Sequence, residues 1–191
     1  MEAFLVSTGF VALAEIGDKT QLLAFILAAR FRKPIPIVLG ILVATIANHA
    51  LAGMLGAWIT TLASPDVLRW LLGLSFIAMA AWLLVPDEFD EHDARLARMG
   101  VFGATLVAFF LAEMGDKTQV ATVALAARYQ AIVAVVAGTT LGMMIANVPA
   151  VLLGERIAHR MPVKLVHGIA AAIFALLGIA TLFGVGGDWI F

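Results

Sequence analysis

The sequence predicts an all-α polytopic membrane protein with six transmembrane helices, arranged as two inverted three-helix repeats. Three observations support this prediction. The 191 residues are 63% apolar and only 13% charged, whereas soluble domains carry about 25% charged residues. Several stretches contain no Asp, Glu, Lys or Arg and are long enough to cross a bilayer, which takes about 20 residues. Finally, a nine-residue motif with two acids and one lysine occurs twice, at an offset of 98 residues.

Proline, glycine and charged residues mark the breaks between the predicted helices. The first two helices are separated by Arg30–Pro34 and the next two by Ala63–Asp66. A polar segment begins at Pro86, and the last breaks lie at Arg128–Ala131 and Glu155–Pro162. The predicted helices span residues 3–30, 35–62, 67–85, 100–128, 131–154 and 163–184.

The distribution of lysine and arginine predicts the orientation of these helices. The first, third and fifth connections contain eight basic residues, and the second and fourth contain two. Basic connections are expected on the cytoplasmic side, so we expect both termini to lie outside the cytoplasm. The chain then divides into a first repeat (residues 1–86), an acidic cytoplasmic loop (87–99) and a second repeat (100–191).

The two copies of the motif define the internal repeat. Leu13–Gln21 reads LAEIGDKTQ and Leu111–Gln119 reads LAEMGDKTQ, and Gly40 matches Gly138 at the same offset. Because each half has three helices, the second half is expected to enter the membrane from the opposite side. Secondary transporters are often built in this way, with the site at the interface of the repeats. The alternative is a duplication with a purely structural role.

Each motif places two acids and a lysine near the middle of a predicted helix. In a continuous helix, positions i, i+3 and i+4 share one face, so the three charges of each copy are expected to point into one seam. A charge at this depth costs about 2.5–3.5 kcal/mol on insertion scales. The charges therefore form either structural ion pairs with the motif lysines or an ion site shared by both copies. The six residues are Glu15, Asp18, Lys19, Glu113, Asp116 and Lys117.

Charge balance favours the shared site. Four carboxylates against two lysines leave two negative charges, which match one divalent cation or two protons. Oxygen ligands without thiolate suit Mg²⁺, Ca²⁺ or Mn²⁺. The predicted ligands are Glu15, Asp18, Thr20, Gln21, Glu113, Asp116, Thr118 and Gln119, and the groups predicted to carry protons or balance charge are Glu15, Glu113, Lys19 and Lys117.

Five further residues are expected to support this site. Gly17 and Gly115 either open the helix, so that main-chain carbonyls join the site, or allow another helix to approach. Asn48, His49 and Asn147 place polar atoms on the second and fifth predicted helices. The offset of 98 aligns His49 with Asn147, whereas the shared Ala-Asn dipeptide aligns Asn48 with it. Their amides are either metal ligands or hydrogen-bonding groups between helices, and His49 is either a proton carrier or a packed side chain.

The duplicated sequence Glu-φ-Gly-Asp-Lys-Thr, where φ is apolar, resembles the family of human transmembrane protein 165 and its bacterial manganese-exporter relatives. The resemblance covers essentially the whole chain. It implies a cation/proton antiporter with Mn²⁺ or Ca²⁺ as the transported substrate, located in a bacterial cytoplasmic membrane. It also implies that the residues carrying the function are Glu15, Gly17, Asp18, Lys19, Thr20, Glu113, Gly115, Asp116, Lys117 and Thr118.

Three other functions remain as alternatives. A cation channel would use the same carboxylates without proton coupling, and a structural subunit would use them only as ion pairs. An intramembrane enzyme could use them as acid and base. However, the chain contains no HExxH motif or recognisable Ser/His or Cys/His pairing. We therefore do not expect an enzyme. We also expect no prosthetic group and no nucleic-acid partner. The expected function is that of a carrier that exports the metal by alternating access.

Overall fold

A computed structural model describes residues 1–84, 99–153 and 163–183, and these residues contain helices and no strand. The prediction of an all-α fold is therefore confirmed. Apart from Met99, the predicted acidic loop lies outside the described residues, as does the whole of the last predicted connection. The helices are α1 (Glu2–Glu15), α2 (Lys19–Phe31), α3 (Pro34–Leu62), α4 (Pro65–Leu83), α5 (Gly100–Glu113), α6 (Lys117–Tyr129), α7 (Ile132–Leu153) and α8 (Val163–Leu182).

Two of the six predicted helices are in fact pairs of shorter helices. The prediction of continuous helices over 3–30 and 100–128 is wrong, because the chain leaves the helical conformation after Glu15 and after Glu113. It becomes helical again at Lys19 and Lys117. The other four predicted helices agree with α3, α4, α7 and α8 to within two residues at each end.

Local chemistry explains where several helices begin and end. Helices α3 and α4 have proline in their first turn, where the missing N–H would have no partner within the helix. Helices α2 and α6 are followed directly by Arg32 and Gln130, which adopt the left-handed conformation with φ of 51° and 48°. Their N–H groups donate to carbonyls of the last turn, which closes each helix. These two ends are again 98 residues apart.

Glycine allows helices of the two halves to approach closely. Helices α1 and α2 pack on α7, while α5 and α6 pack on α3. A Cβ atom on Gly40 would lie 3.0 Å from the main-chain oxygen of Phe102, and one on Gly138 would lie 2.5 Å from that of Phe4. Both pairs obey the offset of 98, so these two glycines mark equivalent close helix contacts.

Two of the helices described by the structure are long and apolar enough to cross a membrane. Pro34–Leu62 and Ile132–Leu152 have mean hydropathies of 2.0 and 1.8. Large apolar side chains are also exposed on several helices, where a bilayer would cover them; examples are Trp58, Leu62, Trp70, Leu141 and Leu152.

Candidate metal centre

The first motif lies where the chain passes from α1 to α2. Glu15 is the last residue of α1, and Lys19 is the first residue of α2. Between them Gly17 has φ of 83°, and Asp18 is extended with φ of −78° and ψ of 168°. The expectation that the three charges share one face of a continuous helix is therefore wrong. A short non-helical segment separates the glutamate from the aspartate and the lysine.

The second motif repeats this geometry between α5 and α6. Glu113 ends α5 and Lys117 begins α6, while Gly115 has φ of 74° and Asp116 has φ of −78° and ψ of 166°. A Cβ atom on Gly115 would meet no atom within 4 Å. Glycine is therefore needed here for the left-handed conformation and not for the approach of another helix. The helix is open at both motif glycines, and the joining of main-chain carbonyls to the site stays a prediction.

Each motif glutamate is held by a threonine of its own copy. The hydroxyl of Thr20 donates to Glu15 Oε2 at 2.6 Å, and the hydroxyl of Thr118 donates to Glu113 Oε2 at 3.0 Å. Both glutamates are fully buried. In each of them Oε1 is buried without a hydrogen-bond partner among the described residues. Each glutamate thus has one fixed oxygen and one oxygen available to a ligand.

The two copies meet at these carboxylates. Glu15, Glu113 and Asp116 each offer one oxygen, and the three oxygens lie within 4.8 Å of one another. This group joins the first copy to the second and includes three of the four predicted carboxylates. Asp18, the fourth, is buried but lies outside the group. Such a set of converging oxygen donors suits a hard divalent cation.

The lysines form ion pairs between the copies. Lys19 Nζ lies 2.8 Å from Asp116 Oδ1, and Lys117 Nζ lies 3.6 Å from Asp18 Oδ1. The two pairs differ in burial, since the side chain of Lys117 is 1% exposed and that of Lys19 is 25% exposed. Each lysine thus pairs with an aspartate of the other copy.

The motif glutamines brace the breaks between helices. Gln21 Oε1 accepts a hydrogen bond from the N–H of Gly17 at 2.9 Å, and Gln119 Oε1 accepts one from Gly115 at 2.8 Å. The amide oxygens predicted as metal ligands therefore already stabilise the left-handed glycines. Their Nε2 groups reach across to the other half, where Gln21 donates to the oxygen of Ala146 at 3.0 Å.

The polar residues of α3 and α7 adjoin these glutamines. Gln119 Nε2 lies 3.5 Å from Asn48 Oδ1, and Asn48 Nδ2 donates to the oxygen of Phe110 at 3.0 Å. Positions 48 and 146 thus make equivalent contacts, so the offset of 98 aligns His49 with Asn147. The amides of Asn48 and Asn147 both form hydrogen bonds, the second to the oxygen of Met143 at 3.1 Å. His49 is fully buried, and its ring nitrogens have no hydrogen-bond partner in the described part of the chain.

Comparison with known proteins places this geometry in a family. A family model described as "Divalent cation/proton antiporter GDT1" matches residues 3–91 and 101–188. A Vibrio cholerae protein named "Putative manganese exporter" is 50% identical over 184 residues, covering 96% of this chain and 92% of that protein. No solved structure shows a significant match.

More distant relatives come from cyanobacteria and plants. The GDT1-like protein sll0615 of Synechocystis is 29% identical over 201 residues, covering 95% of this chain and 97% of that protein. The GDT1-like protein 4 of Oryza sativa subsp. indica is 29% identical over 209 residues, covering 95% of this chain and 73% of that protein. The chain thus belongs to the GDT1 family of divalent cation/proton antiporters, which are membrane transporters and not enzymes.

Proposed function

We propose that this chain exchanges a divalent cation, Mn²⁺ or Ca²⁺, for protons and exports the metal from the cytoplasm. The observation that carries the proposal is the meeting of the two motif copies in one buried group of carboxylate oxygens within 4.8 Å of one another. Manganese is favoured by the name of the Vibrio relative. Oxygen ligands alone suit both metals.

The ion pairs indicate which carboxylates balance the charge of the transported ions. Asp116 and Asp18 are neutralised by Lys19 and Lys117, so we assign the transported charge mainly to Glu15 and Glu113. Two buried carboxylates this close repel each other unless a cation or protons lie between them. A divalent metal and two protons would each neutralise the pair, so each excludes the other. This mutual exclusion is the minimum requirement for exchange.

The repeat supports a mechanism of alternating access. We propose that residues 1–86 and 100–191 are two inverted three-helix repeats, each spanning the membrane three times, joined by a cytoplasmic loop at 87–99. Rocking of one half against the other would expose the carboxylates to each side in turn. The equivalent contacts of Gly40 and Gly138 across the two halves support this symmetry. The basic connections favour termini outside the cytoplasm of a bacterial cell.

Uptake of Mn²⁺ by proteoliposomes tests this function. A pH gradient with the acidic side inside should drive Mn²⁺ into vesicles that contain the chain. Glu15→Gln and Glu113→Gln should each abolish this uptake, while Glu2→Gln, a substitution in the exposed first turn of α1, should retain it. Uptake that is independent of the pH gradient would identify a channel. Full Mn²⁺ uptake by both motif variants would show that the carboxylates have only a structural role.

A further inference from the structure

A second set of buried polar atoms lies on α3 and α7, outside the carboxylate group. The Oγ1 atoms of Thr45 and Thr140, both ring nitrogens of His49 and Oδ1 of Asn147 have no hydrogen-bond partner within the described ranges. All four residues are at most 7% exposed. A buried polar group without a partner costs about 1–3 kcal/mol. Several such groups on two packed helices therefore call for a ligand or for water.

Helix geometry places these side chains in the interface between α3 and α7. Thr45 and His49 lie on one face of α3, and Gly53 continues that face by one more turn. A Cβ atom on Gly53 would lie 3.0 Å from Val136 of α7. Val136 lies in the second turn of α7, so Gly53 faces the beginning of that helix. Residues of α3 that precede Gly53 therefore face residues of α7 that follow Val136. Thr140, one turn after Val136, is therefore opposite His49.

This polar face reaches the proposed metal centre on both helices. The residue before His49 accepts a hydrogen bond from Gln119 through its side chain. The residue before Asn147 accepts one from Gln21 through its main-chain oxygen. The polar atoms thus begin beside the motif glutamines and continue along the interface between α3 and α7.

A groove of about 400 Å³ lies between the two helices beside Thr140. Its other lining residues are apolar, and they include Ile46 and Ala50 of α3 and Val136 and Ala137 of α7. A buried water needs both space and two to four polar partners. The internal repeat does not explain Thr45 and Thr140, because their equivalents at the offset of 98 are Met143 and Leu42.

We propose that the interface between α3 and α7 is a hydrated passage, through which ions reach the carboxylate centre. The passage rests on the proposed function, because a transported ion needs a route to the buried site. Water in the passage satisfies the threonine hydroxyls, the imidazole and the asparagine oxygen. The same groups then replace part of the hydration shell of an ion on its way to the site.

The accessibility of single cysteines tests this passage. The chain contains no cysteine, so an introduced cysteine is its only thiol. Thr45→Cys and Thr140→Cys are compared with Ala44→Cys and Val135→Cys, which replace fully buried apolar neighbours on the same helices. A positively charged methanethiosulfonate reacts with the thiolate, which forms where water is present. The two threonine positions should react at least about tenfold faster than the two controls.

Transport by the same variants separates the two proposals. Equally slow labelling at all four positions, in samples that still transport Mn²⁺, would overturn the passage and leave the function intact. Fast labelling at Thr45 and Thr140 without Mn²⁺ transport by the unmodified protein would support the passage and overturn the function. As a second measurement, Thr140→Val should slow Mn²⁺ transport about fivefold, equivalent to one lost hydrogen bond, with unchanged Mn²⁺ binding. Unchanged transport in this variant would count against the passage.

Discussion

The ion pair between Lys19 and Asp116 gives the sharpest test of how the two copies are joined. A double-mutant cycle uses Lys19→Met, Asp116→Asn and the double variant. The matched control cycle combines Lys19→Met with Asp18→Asn, because Asp18 precedes Lys19 directly in sequence but pairs with Lys117 in the structure. The two cycles therefore separate pairing between copies from pairing within one copy.

The expected coupling energy follows from distance and burial. Lys19 Nζ lies 2.8 Å from an aspartate oxygen, and Asp116 is 1% exposed. Unit charges 4 Å apart attract by about 4 kcal/mol at an effective dielectric constant of about 20. The 25% exposure of Lys19 weakens this attraction, so we expect a coupling of about 2 kcal/mol. Lys19→Met alone should lower the free energy of unfolding by about 3 kcal/mol, because it leaves a buried carboxylate without its ammonium partner.

Equilibrium unfolding in mixed micelles, followed by circular dichroism, measures these free energies. We expect the control cycle to give a coupling below about 1 kcal/mol. A coupling between Lys19 and Asp18 as large as that between Lys19 and Asp116 would refute pairing between the copies. A coupling between Lys19 and Asp116 that is too small to measure would also refute it.

Three further predictions concern the glycines and a motif threonine. Gly142→Ala should lower the free energy of unfolding by about 1–3 kcal/mol, because the new Cβ would lie 2.6 Å from a main-chain oxygen of α1. The control Gly9→Ala should raise this free energy by about 0.5–1 kcal/mol, because its Cβ would meet nothing within 4 Å. Equal effects of the two substitutions would contradict the packing. Gly115→Ala should cost about 1–2 kcal/mol without any clash, because its φ is 74°; an unchanged unfolding midpoint would contradict this. Thr118→Val should weaken Mn²⁺ binding about tenfold in a calorimetric titration, since Glu113 loses a hydrogen bond of 3.0 Å worth about 1.5 kcal/mol, and unchanged affinity would show that this bond does not position the carboxylate.

Composition and periodicity predicted the uninterrupted helices α3, α4, α7 and α8, because a long apolar run has few alternative structures. They did not predict the breaks in the two motif helices. A signal was present in Gly17 and Asp18, since glycine commonly follows a helix end and aspartate commonly begins a helix. The apolar residues on both sides continued the helical pattern and concealed it. Asp18 directly precedes α2 in the capping position but makes no side-chain capping bond, and its carboxylate lies beside Lys117 instead.

The composition of the candidate site was predictable from the duplicated motif, but its pairing was not. Each lysine follows its own aspartate directly in the chain, and only the packing of the two halves brings it to the aspartate of the other copy. The register of His49 against Asn147 was similarly open. It depends on contacts of Gln21 and Gln119 across the halves, which the order of residues does not contain.

The central claim is that the two motifs form one site in which a metal and protons exclude each other. Calorimetric titration with Mn²⁺ in two buffers of different ionisation enthalpy measures both the number of metal ions bound and the number of protons released. We expect one Mn²⁺ per chain and the release of about two protons, because the metal requires deprotonated carboxylates. Glu15→Gln and Glu113→Gln should each abolish binding of this one ion. Two independent ions per chain, or binding without proton release, would contradict the account.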